Sequence, residues 1–222
     1  MRFQGAIFDM DGTLLDSMPA WSDLAPDFLK RHGIEPEPGF HIHVSVPSIR
    51  AAVRFMAEKF SMRIDEDAEV AEIRERLADF YRHVRLKPGA GELLDAMCRA
   101  GIRAGVLTAT EPELAALALE SVGVADRFAA GVLSGAEHSI SKSTPLPFRM
   151  MQEKLGAPPE RTLVFEDALY AVRTAVSLGH PVAAVYDASE PRQEELARVA
   201  DWYCRDWTEF PLEIFAEGAP AR

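Results

Sequence analysis

The stretch FDMDGTLLDS, residues 8–17, sets Asp9 and Asp11 one residue apart and follows them with Gly12 and Thr13. Further along, Thr108 and Thr110 close the run IRAGVLTAT, Lys142 lies in the polar stretch ISKST, and Glu166 and Asp167 end the run RTLVFED. Carboxylates gathered at one spot repel one another unless positive charge lies between them. Mg2+ meets that need, because it is a hard ion that prefers carboxylate, carbonyl and water oxygens. Lys142 and the Thr108 hydroxyl then suit a phosphate on the other side of the ion, with one carboxylate left free to attack.

For these groups to meet, each must stand at the end of a strand. GAIFDMD reads as a short buried strand closed by acids and Gly12. After Pro88 the chain alternates helices over 90–100, 113–122, 147–155 and 170–178 with strands IRAGVLTAT, FAAGVLSG, RTLVFED, PVAAVYD and a last short one near DWYC. Such alternation implies a parallel α/β sheet with right-handed crossovers, in which ligands bind beyond the carboxyl ends of the strands. Between the first strand and the rest, residues 16–86 show only helical patterns. Ile49, Val53, Met56 and Phe60 form one stripe behind Pro47, which suits a first helical turn, and Val70, Ile73, Leu77, Phe80 and Val84 form another. Both stripes fit core packing. The expected fold is thus a Rossmann-like α/β core, residues 1–15 and 87–222, carrying an inserted helical cap over 16–86.

Composition narrows the functional classes. The 222 residues are 48% hydrophobic and 27% charged, which is the make-up of a globular chain. A formal net charge of −11 opposes general binding to nucleic acid or to an anionic membrane. No apolar run approaches the roughly 20 residues needed to span a bilayer, and the opening residues lack a cleavable signal. Cys98 and Cys204 are far apart and suit neither a disulfide framework nor a zinc site. A cytoplasmic protein is expected, with Cys98 a small core residue of its helix. Nothing demands a dimer, so a monomer or weak homodimer is expected.

The order DMDGT, Thr108, Lys142 and Glu166-Asp167 resembles the haloacid dehalogenase superfamily of phosphatases and phosphomutases over nearly the whole chain. The helical insert is similar to the subfamily of β-phosphoglucomutase, phosphoglycolate phosphatase and small sugar phosphatases. The resemblance implies that Asp9 is a nucleophile forming an aspartyl-phosphate and that Asp11 is the acid and base. It implies that Thr108, the backbone N–H of Ala109 and Lys142 hold the phosphoryl oxygens. It places Mg2+ on Asp9, the carbonyl of Asp11 and Asp167, with Glu166 a ligand or the partner of one. Dehalogenase members lack an acid at the position of Asp11, so this chain points to phosphate esters, and the implied partner is a small phosphorylated metabolite.

Three departures from the family pattern stand out. Lys142 is followed by Ser143 and Thr144 before Pro145, where the family has Pro directly. Ala168 and Ala171 replace the usual Ser or Thr and Gly after the acidic pair. Trp21 stands about where the mutases keep a His, which favours hydrolysis over phosphomutase chemistry. Nothing marks Lys30 or Lys59 as the buried lysine of the phosphonate-cleaving relatives. Arg50 and Arg54, one helical turn apart, fit a solvated surface, yet a cap supplies specificity in this architecture, so they are the candidates for substrate contact. His41 and His43 lack a third ligand at a recognisable spacing and fit a solvated or substrate-facing cap segment. The Gly-x-Gly of PGAGELL reads as a Pro-Gly turn opening a helix.

Two other classes share parts of this pattern. A signalling receiver domain uses an acid cluster, a Thr and a Lys, but accepts phosphate at a later strand, needs only roughly 120 residues and has no cap. A binding protein that kept the fold without turnover would have lost a mechanistic group, and all are present.

Overall fold

In the computed structural model, residues 3–37, 40 and 48–216 are described; His41, His43 and Pro47 lie outside them. Six parallel strands form one sheet: β1 (Gly5–Phe8), β2 (Arg103–Thr108), β3 (Val132–Ser134), β4 (Thr162–Glu166), β5 (Val182–Val185) and β6 (Trp202–Cys204). Their order is β3-β2-β1-β4-β5-β6. The order reverses at β1, so β1 and β4 flank the crevice in which a doubly wound sheet takes its ligand.

Strand alternation feeds both faces. Ile7, Leu107, Val164 and Ala184 pack on one side, with Phe148 and Met151. Ala6, Phe8, Val106 and Phe165 pack on the other, with the C-terminal Trp207, Phe210 and Phe215. Near-continuous apolar runs in these strands reflect burial on both faces. The Phe8 and Phe165 rings stack at 4.1 Å across the central pair.

Helices α1 (Met18–Arg31), α2 (Ile49–Lys59), α3 (Glu66–Tyr81) and α4 (Ala90–Arg99) lie between β1 and β2. The helical cap region expected there is present. Helix α1 starts at Met18, with Pro19 in its first turn, where a missing N–H costs nothing. Helix α2 starts at Ile49, and its cap is Ser48, whose hydroxyl accepts from the N–H of Ala51. The chain enters and leaves the cap through two linkers that bond to each other. Asp16 N–H donates to Arg85 O, Lys87 N–H donates to Leu14 O, and Leu15 and Leu86 form an antiparallel bridge. Lys87 then buries its ammonium against Asp187, 2.8 Å away, and against Tyr186 O. Breaking such a pair would strand a charge indoors, so the base of the cap has a fixed attachment.

The remaining helices are α5 (Pro112–Ser121), α6 (Gly135–His138), α7 (Pro145–Leu155), α8 (Leu169–Ser177) and α9 (Gln193–Val199). The turn at PGAGELL opens α4 as expected, with Gly89 at its N-cap in the left-handed region. Cys98 corrects an expectation. It is exposed, because Leu93, Leu94 and Met97 take the buried face of α4 and position 98 falls outside it. No described helix is long and apolar enough to cross a membrane.

Candidate active site

The β1–β4 register brings the first acids together. Asp9 N–H donates to Phe165 O, so Asp9 leaves β1 beside Glu166 at the end of β4. Asp9, Glu166 and Asp167 are all buried, and one carboxylate oxygen from each lies within 4.8 Å of the others. Lys142 reaches the same spot from the loop before α7. Its Nζ donates to Asp9 Oδ1 at 2.5 Å and to Glu166 Oε1. The other oxygen of Glu166 accepts from the N–H groups of Asp167 and Ala168, at 2.9 and 2.8 Å.

The electrostatics leave this cluster short of positive charge. Burial pushes the Glu166 carboxyl up to about 6 despite the Lys142 ammonium. Asp167 is driven well above the carboxylate range by burial and by its neighbours Glu166 and Asp9. Burial opposes the Lys142 charge too, but Asp9 and Glu166 outweigh it and hold its pKa well up. Ionised together, three carboxylates against one ammonium would leave two negative charges uncompensated away from water, which is why their protonated forms are favoured without a cation. The donor set is all oxygen, and it fits a hard divalent cation.

The turn after β1 is shaped around the same acids. Gly12 has φ +82°, and a Cβ there would lie 2.5 Å from Asp167 Oδ2, so only glycine lets the loop pass. Thr13 Oγ1 donates to Asp167 Oδ1 at 2.8 Å, and Trp207 Nε1 donates to Thr13 O. The Lys142 loop departs from the family pattern without losing its aim. Thr144 N–H and hydroxyl both fold back on Ser141 O, and Pro145 then opens α7. The missing Ser or Thr after the acidic pair is also made good elsewhere. Ala168 gives α8 no side-chain cap, and buried Glu190, from the loop after β5, accepts from Leu169 N–H at 3.0 Å instead.

Asp11 faces the other way, and its side chain stays out of the acid cluster. Its Oδ1 accepts from Ser17 Oγ and from Tyr81 Oη, both at 2.7 Å, and its Oδ2 accepts from Thr110 Oγ1 at 2.6 Å. Burial raises the Asp11 pKa against these three donors, which favour the ionised form. Thr108, buried at the end of β2, accepts from Thr110 N–H, and Ser134 Oγ braces Thr110 O, while Ala109 between them is exposed.

The cap arginines singled out in the sequence engage their own cap. Arg50 pairs with Asp67 at 2.7 Å and Arg54 with Glu66 at 3.0 Å, both in the first turn of α3. A cap arginine that does meet the core is Arg74, whose Nε and Nη2 reach the two carboxylate oxygens of Glu111 at 2.6 and 3.0 Å. Tyr81 was missed as well. The stripe of α3 buries Val70, Ile73, Leu77 and then Tyr81, with Phe80 only half-buried. The signal was there, since Tyr81 follows Leu77 by four residues, and a buried tyrosine hydroxyl needs a partner.

These features define a class. The profile of haloacid dehalogenase-like hydrolases matches residues 3–179, and the chain belongs to that family. It is 31% identical over 191 residues to an N-acetylmuramic acid 6-phosphate phosphatase of Pseudomonas aeruginosa, covering 83% of this chain and 82% of that one. It is 31% identical over 225 residues to a phosphoglycolate phosphatase of Rhodospirillum rubrum, covering 94% of this chain and 92% of that one. In fold it is similar to CbbY from Rhodobacter sphaeroides, solved in complex with xylulose-(1,5)bisphosphate, with TM-score 0.78 and 20% identity over 93% of this chain and 96% of that one.

Proposed function

We propose that the chain is a Mg2+-dependent phosphatase that hydrolyses a small phosphorylated metabolite, a sugar phosphate or phosphoglycolate, through an aspartyl-phosphate on Asp9. The observation that carries this reading is the buried set of Asp9, Glu166, Asp167 and Lys142 at the ends of β1 and β4. Phosphatases among the relatives support the substrate class. In this reading Asp9, Asp167 and the backbone carbonyl of Asp11 hold the ion. Glu166 completes the acidic set and, through Lys142 and the loop amides, fixes Asp167. When bound, Mg2+ supplies positive charge against the transferring phosphoryl group.

Asp9 attacks phosphorus, and the bond to the leaving oxygen breaks as Asp11 gives that oxygen its proton. Asp11 then takes a proton from the water that attacks the aspartyl-phosphate, which regenerates Asp9 and releases phosphate. Thr108, the N–H of Ala109 and Lys142 hold the phosphoryl oxygens. Residues 16–86 act as the cap that selects the leaving group.

Mg2+-dependent hydrolysis of p-nitrophenyl phosphate tests the reading. Wild type is expected to turn over, and Asp9→Asn is expected to lose roughly 10⁴-fold or more, as removal of a nucleophile does. Activity in Asp9→Asn equal to wild type sinks it.

A further inference from the structure

Tyr81 is a cap residue, yet its hydroxyl ends on the carboxylate to which the proton transfers fall. Its direction is set. Trp21 Nε1 lies 3.0 Å from Tyr81 Oη, and an indole nitrogen only donates, so the tyrosine hydroxyl must accept there and send its own hydrogen to Asp11 Oδ1, 2.7 Å away. The ring is fully buried, with its hydroxyl as the only polar atom to satisfy. Two cap helices, α1 through Trp21 and α3 through Tyr81, thus converge on one oxygen of a core loop.

A carboxylate offers about four acceptor positions. Ser17 and Tyr81 fill both on Oδ1, and Thr110 fills one on Oδ2, which leaves one position on Oδ2 for a substrate oxygen or a water. The same face of α3 holds the core a second time, two turns earlier, where Arg74 grips Glu111, the residue after Thr110. Cap docking and the aim of Asp11 therefore share one helix.

We infer that Tyr81, oriented by Trp21, is a positioning residue that aims the open oxygen of Asp11, so that proton transfer is efficient only with α3 seated on the core. The inference rests on the phosphatase reading. It concerns alignment, so its signature is dependence on the leaving group. An alkyl leaving group needs a proton as it departs, whereas p-nitrophenolate leaves unaided, and kcat/KM reports the step in which it leaves.

The test compares kcat/KM of Tyr81→Phe on an alkyl ester (phosphoglycolate or a hexose phosphate, whichever wild type hydrolyses faster) with that on p-nitrophenyl phosphate, each with Mg2+. The alkyl ester is expected to lose about 10-fold or more, part of the 10²–10⁴ that acid catalysis supplies, and the aryl ester under about 3-fold. Tyr81→Phe added to Asp11→Asn should cost little more, because the two residues act as a unit. Equal losses on both esters, or full additivity with Asp11→Asn, overturn the inference by giving Tyr81 a merely structural part. Should Tyr81→Phe not fold, Trp21→Phe leaves Tyr81 and Asp11 in place and is read by the same ratio. A wild type inactive on every ester overturns the phosphatase reading itself, and this inference with it.

Discussion

Asp9 and Asp11 are separated by a single residue and live in opposite surroundings. Asp9 turns into a pocket made wholly by the sheet core: Lys142, Glu166 and Asp167, all buried and all ionisable. Asp11 turns toward the cap and is met by neutral donors only, the hydroxyls of Ser17, Tyr81 and Thr110. The first pocket is a site for fixed charge, where opposite charges decide everything. In the proposed reading the second is a site for a proton, where hydrogen bonds set direction. A strand cannot give neighbouring side chains such different surroundings by pleat alone. The Gly12 turn does it, by carrying Asp11 out of the sheet and under α3.

The largest effect that would sharpen this contrast is Asp11→Asn. It is expected to lower turnover by about 10²–10⁴-fold, the usual worth of acid–base help. It should leave the Mg2+-induced rise in melting temperature intact, because the Asp11 side chain is outside the acid cluster. Loss of that rise in Asp11→Asn would merge the two pockets and break the comparison.

Next in size is the metal itself. Mg2+ at about 100 times its Kd should stabilise wild type by about 2.7 kcal/mol. Removing the ion with a chelator should abolish both this gain and turnover. Asp167→Asn should lose most of the gain, since it removes one of three clustered charges. A thermal shift in Asp167→Asn equal to wild type would take Asp167 out of the ion's reach.

The smallest expected effect concerns what supports the charged pocket. Burial opposes the Glu190 charge, but hydrogen bonds from Arg192 and from the N–H of Leu169 outweigh it and hold the carboxyl below its usual range. A lowered folded pKa means stability that is present above the unfolded value, near 4.5, and is lost as pH falls through the folded one. Glu190→Gln should therefore cost about 0.5–2 kcal/mol near neutral pH, the range of a lost helix cap. The gap from wild type should close below about pH 4.5 in denaturant titrations. A gap that stays constant with pH would mean that the ionised form does not matter.

The core pocket was legible because its parts are strand ends with distinctive residues. Asp9, Glu166 and Asp167 each sit where an apolar run meets a polar turn, and Lys142 is a lone cation in a polar loop. The cap pocket was not. Helical periodicity placed α2 and α3, but it could not say which arginine meets the core, and it chose Phe80 where the helix turns Tyr81 inward. One residue of phase is 100° of rotation, which separates a packed ring from a hydroxyl on Asp11. Ser17 stands at the N-cap of α1, yet its hydroxyl goes to Asp11 rather than to the helix.

By itself the sequence determined the alternation of strands and helices, the insertion after the first strand, and the acids, threonines and lysine that gather at the strand ends. Those follow from local rules: side-chain period, turn residues, and the repulsion that makes clustered carboxylates informative. Only the tertiary structure decided the partners. It replaced the missing cap of α8 with Glu190, tied the outgoing cap linker to the core through Lys87 and Asp187, and brought Tyr81 and Trp21 over Asp11. These contacts join residues 21 to 100 positions apart, and no local pattern encodes which distant side chain fills a hydrogen-bonding position.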